Sequence, residues 1–286
     1  LKLAIDLTTT PGSKVIVPTP SYMPFLRVPG ECGRDLIEVP LHDDDGHYSF
    51  DLEGIDAAFK AGANLLILCN PFNPVGRVLS ADEMLAIADV VERNNGRVFS
   101  DEIWSPLIFG KQHVSYASLN EVTANHSISA TSASKAFNLP GLKCAQMIVS
   151  NDADRKALAA AGHHVVGGGT ANLGVVAATA AFKEGRPWLD EVLAYLDRNR
   201  QAMAELMDEH LPGVRYRAPD GTYIGWLDFR ETAAADNPAA FFKQAAGVTL
   251  TEGTACGVAG AGFARFILAT PLPIMERAVS QMGAAL

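Results

Sequence analysis

Residues 64–102, NLLILCNPFNPVGRVLSADEMLAIADVVERNNGRVFSDE, contain the pattern from which the fold can be predicted. The apolar runs at its two ends, 64–71 and 96–102, are typical of buried strands. Between them, Ser80 and Glu83 have the spacing of a capping box at the start of an amphipathic helix. A strand, a helix and a second strand in this order predict a βαβ unit with parallel strands.

The same pattern continues on both sides of this unit. Gly96 is expected to end the helix. Further apolar runs at 14–20, 126–132 and 144–150 also predict buried strands. Several βαβ units in series predict an α/β fold, with a mostly parallel sheet between layers of helices.

The pattern changes at Pro187. Residues 187–211 predict one long amphipathic helix, with a proline at its start and Gly213 just after its end. Predicted strands and helices then alternate, at 222–229, 238–246, 264–270 and from about residue 273. We therefore expect a large domain over residues 1–186 and a smaller α+β domain over residues 187–286.

The composition predicts a soluble globular protein, because 48% of the 286 residues are apolar. The net charge of −9 and the lack of a basic run argue against nucleic acid as a partner. The four cysteines are scattered without the spacing of a zinc site or a disulfide framework, which favours the reducing cytoplasm. No apolar run reaches the roughly 20 residues of a membrane span, so we expect no membrane partner.

Three polar residues follow predicted strands at the point where each strand ends. Asn73 follows the run at 64–69, Asp101 ends the next run, and Lys135 closes the sequence SATSASK. Ligands of open parallel sheets bind outside the carboxyl ends of the strands, so these residues predict a site. Each also has a simpler interpretation: Asn73 could shape a turn, Asp101 could cap a helix, and Lys135 could face solvent.

An amide, an acid and an amine at one sheet edge fit pyridoxal phosphate chemistry. A lysine amine with a lowered pKa can form a Schiff base with the cofactor aldehyde and then move a substrate proton. A buried carboxylate can keep the pyridine nitrogen protonated, which makes the ring an electron sink. An amide can donate a hydrogen bond to the phenolic oxygen.

The spacings resemble those of the aspartate aminotransferase fold, fold type I of the pyridoxal phosphate enzymes, over essentially the whole chain. The turn NPFNPVG is similar to the family's Asn-Pro-x-Gly turn, which implies that Asn73 contacts the phenolic oxygen. The strand-end DEIW implies that Asp101 binds the pyridine nitrogen. The S-x-x-K spacing implies that Ser132 binds the phosphate and Lys135 the aldehyde, while Lys143, eight residues later, implies a second cation on the phosphate.

The resemblance also implies roles for three more residues. Tyr22, in PTPSYMPF, lies where the family stacks an aromatic ring on the pyridine, although it also fits a core position. Arg265, in GAGFARFILATP, lies where the family holds the substrate α-carboxylate. Trp104 replaces a tyrosine that reaches the phenolic oxygen in many members, and its indole N–H could donate there. Lys143 equally fits an exposed surface position.

Within the fold, the chain looks most like the cystathionine β-lyases related to MalY and PatB. This resemblance implies cleavage of a C–S bond of an amino-acid substrate, through a Cα carbanion. An aminotransferase of class I or II is the alternative, because it shares every step up to that carbanion. The third hypothesis is a regulatory protein of the same fold.

The family builds its site across a subunit interface, which implies a homodimer. The chain begins with LKLAIDL, without a methionine or a cap, which is typical of the inside of a helix. We therefore expect that residues upstream of Leu1 are missing from this sequence, including the family's phosphate-binding turn and partner-facing tyrosine. The segment with His163 and His164 is predicted to be a loop near the site.

Overall fold

The computed structural model describes residues 1–161 and 170–286, and its strands form two main sheets and a hairpin. The strands of these residues are β1 (Lys14–Thr19), β2 (Asp35–Pro40), β3 (His42–Asp44), β4 (His47–Ser49), β5 (Ala63–Cys69), β6 (Arg97–Asp101), β7 (Ser127–Thr131), β8 (Gln146–Val149), β9 (Arg215–Tyr216), β10 (Ile224–Asp228), β11 (Thr251–Glu252) and β12 (Phe263–Ile267). The helices are α1 (Lys2–Thr8), α2 (Met23–Glu31), α3 (Leu52–Lys60), α4 (Ala81–Arg93), α5 (Glu121–His126), α6 (Asp152–Ala161), α7 (Asn172–Glu184), α8 (Arg186–His210), α9 (Pro238–Ala245) and α10 (Leu272–Ala285). The predicted loop with His163 and His164 lies outside the described residues.

The larger sheet has six strands in the order β2-β1-β5-β6-β7-β8. Neighbouring strands from β2 to β7 pair in parallel, and β7 and β8 pair antiparallel. The predicted α/β fold with a mostly parallel sheet is therefore confirmed.

Helices cover both faces of this sheet. Leu65 and Ile67 of β5 pack on one face against residues of α1, α2 and α8. Leu66 and Leu68 pack on the other face against α3 and α4. Successive strand residues point to opposite faces, and all four side chains are at most 1% exposed, so the strand is apolar throughout. Each such side chain contributes about 1.5–3 kcal/mol to folding through its burial.

The smaller sheet is antiparallel, in the order β11-β12-β10-β9. It packs with α8, α9 and α10 around a core that includes Met203, Phe242, Phe266 and Met275. The predicted long helix is α8, which begins one residue before Pro187 and ends at His210.

The capping box of α4 forms as predicted, but the expected end of this helix is wrong. Ser80 and Glu83 each accept a hydrogen bond from the other's backbone N–H, at 3.2 and 2.9 Å. The left-handed residue after the helix is Asn95, with φ of 51°, rather than Gly96. Gly96 is needed for packing instead, because a Cβ there would lie 2.5 Å from the ring of Phe59.

No helix within residues 1–161 or 170–286 combines the length and the apolar character that a membrane crossing requires. Within the same ranges, no group of three or more His, Cys, Asp or Glu residues is arranged to hold a metal ion.

Candidate active site

The parallel strands β5, β6 and β7 end side by side, and the last residues of β5 and β6, Cys69 and Asp101, line a small pocket. Cys69 pairs with Asp101, and Asp101 pairs with Ala130. The pocket is lined by Tyr22, Phe25, Cys69, Asn73, Asp101, Ile103, Trp104 and Lys135. The structure thus brings together five of the residues that the sequence predicts for the site.

Asp101 supplies the acid of this pocket. Its Oδ1 accepts a hydrogen bond from the backbone N–H of Ile103 at 3.1 Å. Burial raises the pKa of its carboxyl group to about 6, because the charged form is poorly solvated there. A cation in the pocket would favour the ionised carboxylate, so the site is suited to a protonated ring nitrogen.

Lys135 supplies the amine. Its side chain is half-buried, and Nζ lies 5.3 Å from the centroid of the Trp104 ring. Burial lowers the pKa of Lys135, and the positive charge of Arg265 lowers it further. A larger fraction of neutral amine is therefore present near neutral pH than for an exposed lysine, which suits a nucleophile or a base.

Arg265 projects from β12 towards the large sheet. Its Nη1 lies 3.4 Å from Asn73 Oδ1, and its Nη2 lies 3.4 Å from Thr251 Oγ1. These hydrogen bonds are long, and the buried Nε has no partner among the described residues. A partly buried guanidinium with unused donors is suited to an anion such as a carboxylate.

Ser132 and Lys143 do not line the pocket. Ser132 Oγ is buried, donates to the carbonyl of Cys144 at 2.6 Å, and accepts from the backbone N–H of Ser134 at 3.1 Å. Lys143 is exposed, in a left-handed conformation with φ of 51°. Ser132 is thus held against the residue that follows Lys143, and the phosphate roles of both residues stay predictions.

Sequence reasoning missed four residues at or beside the pocket. Phe25, Cys69 and Ile103 line it. Tyr223 packs edge-on against Trp104, with ring centroids 4.6 Å apart. Phe25 had a local signal, because it lies three residues after Tyr22 at the start of α2, and residues three apart in a helix share a face.

The electrostatic coupling of Lys135 to Arg265 gives a pH-dependent prediction. Replacing Arg265 with glutamine removes a positive charge, so it should raise the pKa of Lys135. The rate of Lys135 acetylation can be measured against pH by brief labelling and peptide mass spectrometry. The pH at which this rate rises should then be higher in the variant. The exposed Arg277→Gln is the matched control and should leave the midpoint in place. An unchanged midpoint in Arg265→Gln would contradict the coupling.

Comparison with known proteins identifies the family. A model of the family described as aminotransferase class I and II matches residues 1–281. The chain belongs to this family. Within it, the chain is 41% identical over 258 residues to a cystathionine beta-lyase of Corynebacterium glutamicum, covering 90% of this chain and 67% of that protein.

Two further family members are similar over nearly the whole chain. The cystathionine beta-lyase PatB of Bacillus subtilis is 32% identical, covering 100% of this chain and 75% of PatB. The crystal structure of a putative PLP-dependent beta-cystathionase from Corynebacterium diphtheriae superposes with a TM-score of 0.93 at 35% identity, covering 99% of this chain and 74% of that one. The predicted resemblance to the fold and to this branch of the family is therefore confirmed.

Proposed function

We propose that the protein is a pyridoxal phosphate-dependent C–S β-lyase that cleaves cystathionine or a related cysteine S-conjugate. The observation that carries the proposal is that Lys135, with its lowered pKa, lines the same pocket as Asp101 and Asn73. The choice of reaction is supported by the relatives named cystathionine beta-lyase.

The residues of the pocket fit the cofactor. The Asp101 carboxylate would bind the protonated ring nitrogen, the Asn73 amide would donate to the phenolic oxygen, and Tyr22 would contact the ring. Lys135 would attach to the aldehyde. The Trp104 ring has its centroid 5.3 Å from Lys135 Nζ, so it would border the cofactor beside the point of attachment.

Ser132 and Lys143 would bind the cofactor phosphate. The Ser132 hydroxyl would have to exchange its bond to the Cys144 carbonyl for one to the phosphate. Lys143 is exposed and supplies a counter-charge without first breaking a buried contact.

The chain's own residues then supply binding and proton transfer. When bound, the cofactor supplies an aldehyde for covalent attachment and a ring that withdraws electrons from the substrate. Arg265 would hold the α-carboxylate through its unused donors. The substrate amine would displace Lys135 from the aldehyde, and the freed Lys135, as a neutral amine, would remove the proton from Cα. The thiolate would leave from Cβ. Hydrolysis of the three-carbon amino-acid portion that remains would then give pyruvate and ammonia.

An aminotransferase activity is the second candidate, favoured by the family's own description. Both reactions require Lys135 to remove the Cα proton. In the lyase the electron pair left at Cα would expel the thiolate from Cβ, whereas in an aminotransferase the proton would be returned to the cofactor instead. The test is to incubate the protein and pyridoxal phosphate with cystathionine without any keto acid. Pyruvate release is the expected result, whereas turnover that strictly requires a keto acid would contradict the lyase.

The guanidinium group of Arg265 can make two parallel hydrogen bonds, so even a change that keeps its charge should lower the activity strongly. Arg265→Lys keeps the positive charge but cannot make two parallel hydrogen bonds to a carboxylate. We expect kcat/KM for cystathionine to fall by about 10²-fold, the equivalent of losing one buried charged hydrogen bond of roughly 3 kcal/mol. Arg277→Lys, an exposed arginine on α10, should change it less than twofold. Equal effects of the two variants would contradict the assigned role.

We also propose a cytoplasmic homodimer with a domain boundary between residues 186 and 187. The dimer is supported by the exposed apolar side chains of α7, where Leu173 is 72% and Val176 is 67% exposed. The location is supported by the four cysteines, none of which is paired in a disulfide. Light scattering should give twice the chain mass, and a monomer at micromolar concentration would contradict the dimer.

A further inference from the structure

Glu102 lies between residues that line the pocket but does not line it itself. It directly follows Asp101 and precedes Ile103 and Trp104. Its side chain is 9% exposed, although an ionised carboxylate is costly to bury. The role of this carboxylate is therefore to be found in what it contacts.

Five hydrogen bonds converge on the Glu102 carboxylate. Oε1 accepts from Ser100 Oγ at 2.9 Å, Ser115 Oγ at 3.0 Å, Tyr116 N at 3.1 Å and Ser129 Oγ at 3.4 Å, and Oε2 pairs with His113 Nε2 at 3.1 Å. These partners belong to β6, to β7 and to the segment 113–116. The one side chain thus ties β6 and β7 to the segment of chain that lies between them in the sequence.

The backbone of Glu102 is also held on both sides. Its N–H donates to the carbonyl of Ala130 at 2.8 Å, and its carbonyl accepts from the N–H of Ser105 at 2.9 Å. Burial opposes the charged carboxylate, but the bonds from His113, Ser115 and Ser100 outweigh it and keep the pKa of Glu102 below its ordinary value. Residue 102 therefore has little freedom to shift or rotate.

We propose that Glu102 is the positioning residue of the site, holding Asp101, Ile103 and Trp104 where a cofactor ring would contact them. This inference rests on the proposed function only in naming the cofactor ring as the group that the three residues would contact. Its negative charge also lies close enough to Asp101 to raise that residue's affinity for a proton. The negative charge of Glu102 should therefore help to keep the proton that Asp101 and the cofactor's ring nitrogen would share.

The test compares two variants that each neutralise a buried carboxylate at one end of β6. Glu102→Gln removes the one at the carboxyl end of the strand. Asp154→Asn removes the one that pairs with Arg97 at the opposite end, away from the pocket. Both changes are expected to lower the melting temperature, so the pair separates positioning from general loss of stability.

Two measurements on the full chain decide the matter. Without cofactor, amide hydrogen exchange of residues 101–107, measured equally far below each melting temperature, should accelerate about tenfold in Glu102→Gln and stay unchanged in Asp154→Asn. With ring-¹⁵N pyridoxal phosphate bound, the pH at which the nitrogen loses its proton should fall only in Glu102→Gln.

Wild-type exchange rates in Glu102→Gln, or equal acceleration in both variants, would overturn the positioning role. An unchanged proton-loss pH in Glu102→Gln would overturn the electrostatic part. A wild-type chain that does not bind pyridoxal phosphate would contradict the proposed function, and the exchange rates would still decide the role of Glu102.

Discussion

Replacing Lys135 with alanine is expected to lower the rate of C–S cleavage by at least about 10⁴-fold, because one side chain supplies both the covalent attachment and the base at Cα. The loss should appear in kcat, measured by pyruvate release from cystathionine at saturating pyridoxal phosphate. The fold should persist, since Lys135 is only half-buried and is not part of the hydrophobic core.

Two controls make this prediction specific. Lys156→Ala removes an exposed lysine of α6 and should leave kcat unchanged. Adding a small primary amine to Lys135→Ala should restore part of the activity, because a free amine can enter the pocket and remove the Cα proton. Activity of Lys135→Ala within tenfold of the wild type would contradict the assignment.

Replacing Asp101 with asparagine is expected to change activity and stability in opposite directions. The neutral amide cannot hold a proton on the ring nitrogen, so kcat should fall by about 10²–10³-fold, as when a preorganised electrostatic group is removed. Cystathionine cleavage by the variant, again at saturating cofactor, measures this loss.

The stability effect follows from the raised pKa of Asp101. Its folded-state pKa of about 6 lies above the value of an unfolded aspartate, so the ionised carboxylate destabilises the fold at neutral pH and the penalty vanishes in acid. Without cofactor, Asp101→Asn should therefore melt at a higher temperature than the wild type at pH 7–8, with no gain below about pH 4. The exposed Asp44→Asn should show neither effect. A lower melting temperature at neutral pH would contradict the buried charge.

The parts of the fold that could be predicted from the sequence are those with a strong local pattern. β5, α4 and β6 were predicted because two apolar runs flank a capped amphipathic helix. β2 was not predicted, since it is an edge strand with mostly exposed or half-buried residues and no apolar run. The antiparallel direction of β8 depends on how the chain returns after Lys135, and no local pattern carries that information.

The site divides in the same way. Asn73, Asp101 and Lys135 were predicted because strand ends and family motifs mark them in the sequence. Glu102 was not, because its partners Ser115 and Ser129 lie 13 and 27 residues away and meet it only after the sheet has formed. Local sequence identifies the groups at the strand ends, whereas the network that fixes their orientation requires the tertiary structure.

The central claim is that Lys135 binds pyridoxal phosphate covalently. The most direct measurement is to load the purified protein with the cofactor, reduce the link with sodium borohydride, and locate the modified peptide by mass spectrometry. The cofactor mass should appear on the peptide that contains Lys135, and the absorbance band of the loaded protein should be missing in Lys135→Ala. A cofactor attached to another lysine, or an unmodified Lys135 in the loaded wild type, would contradict the account.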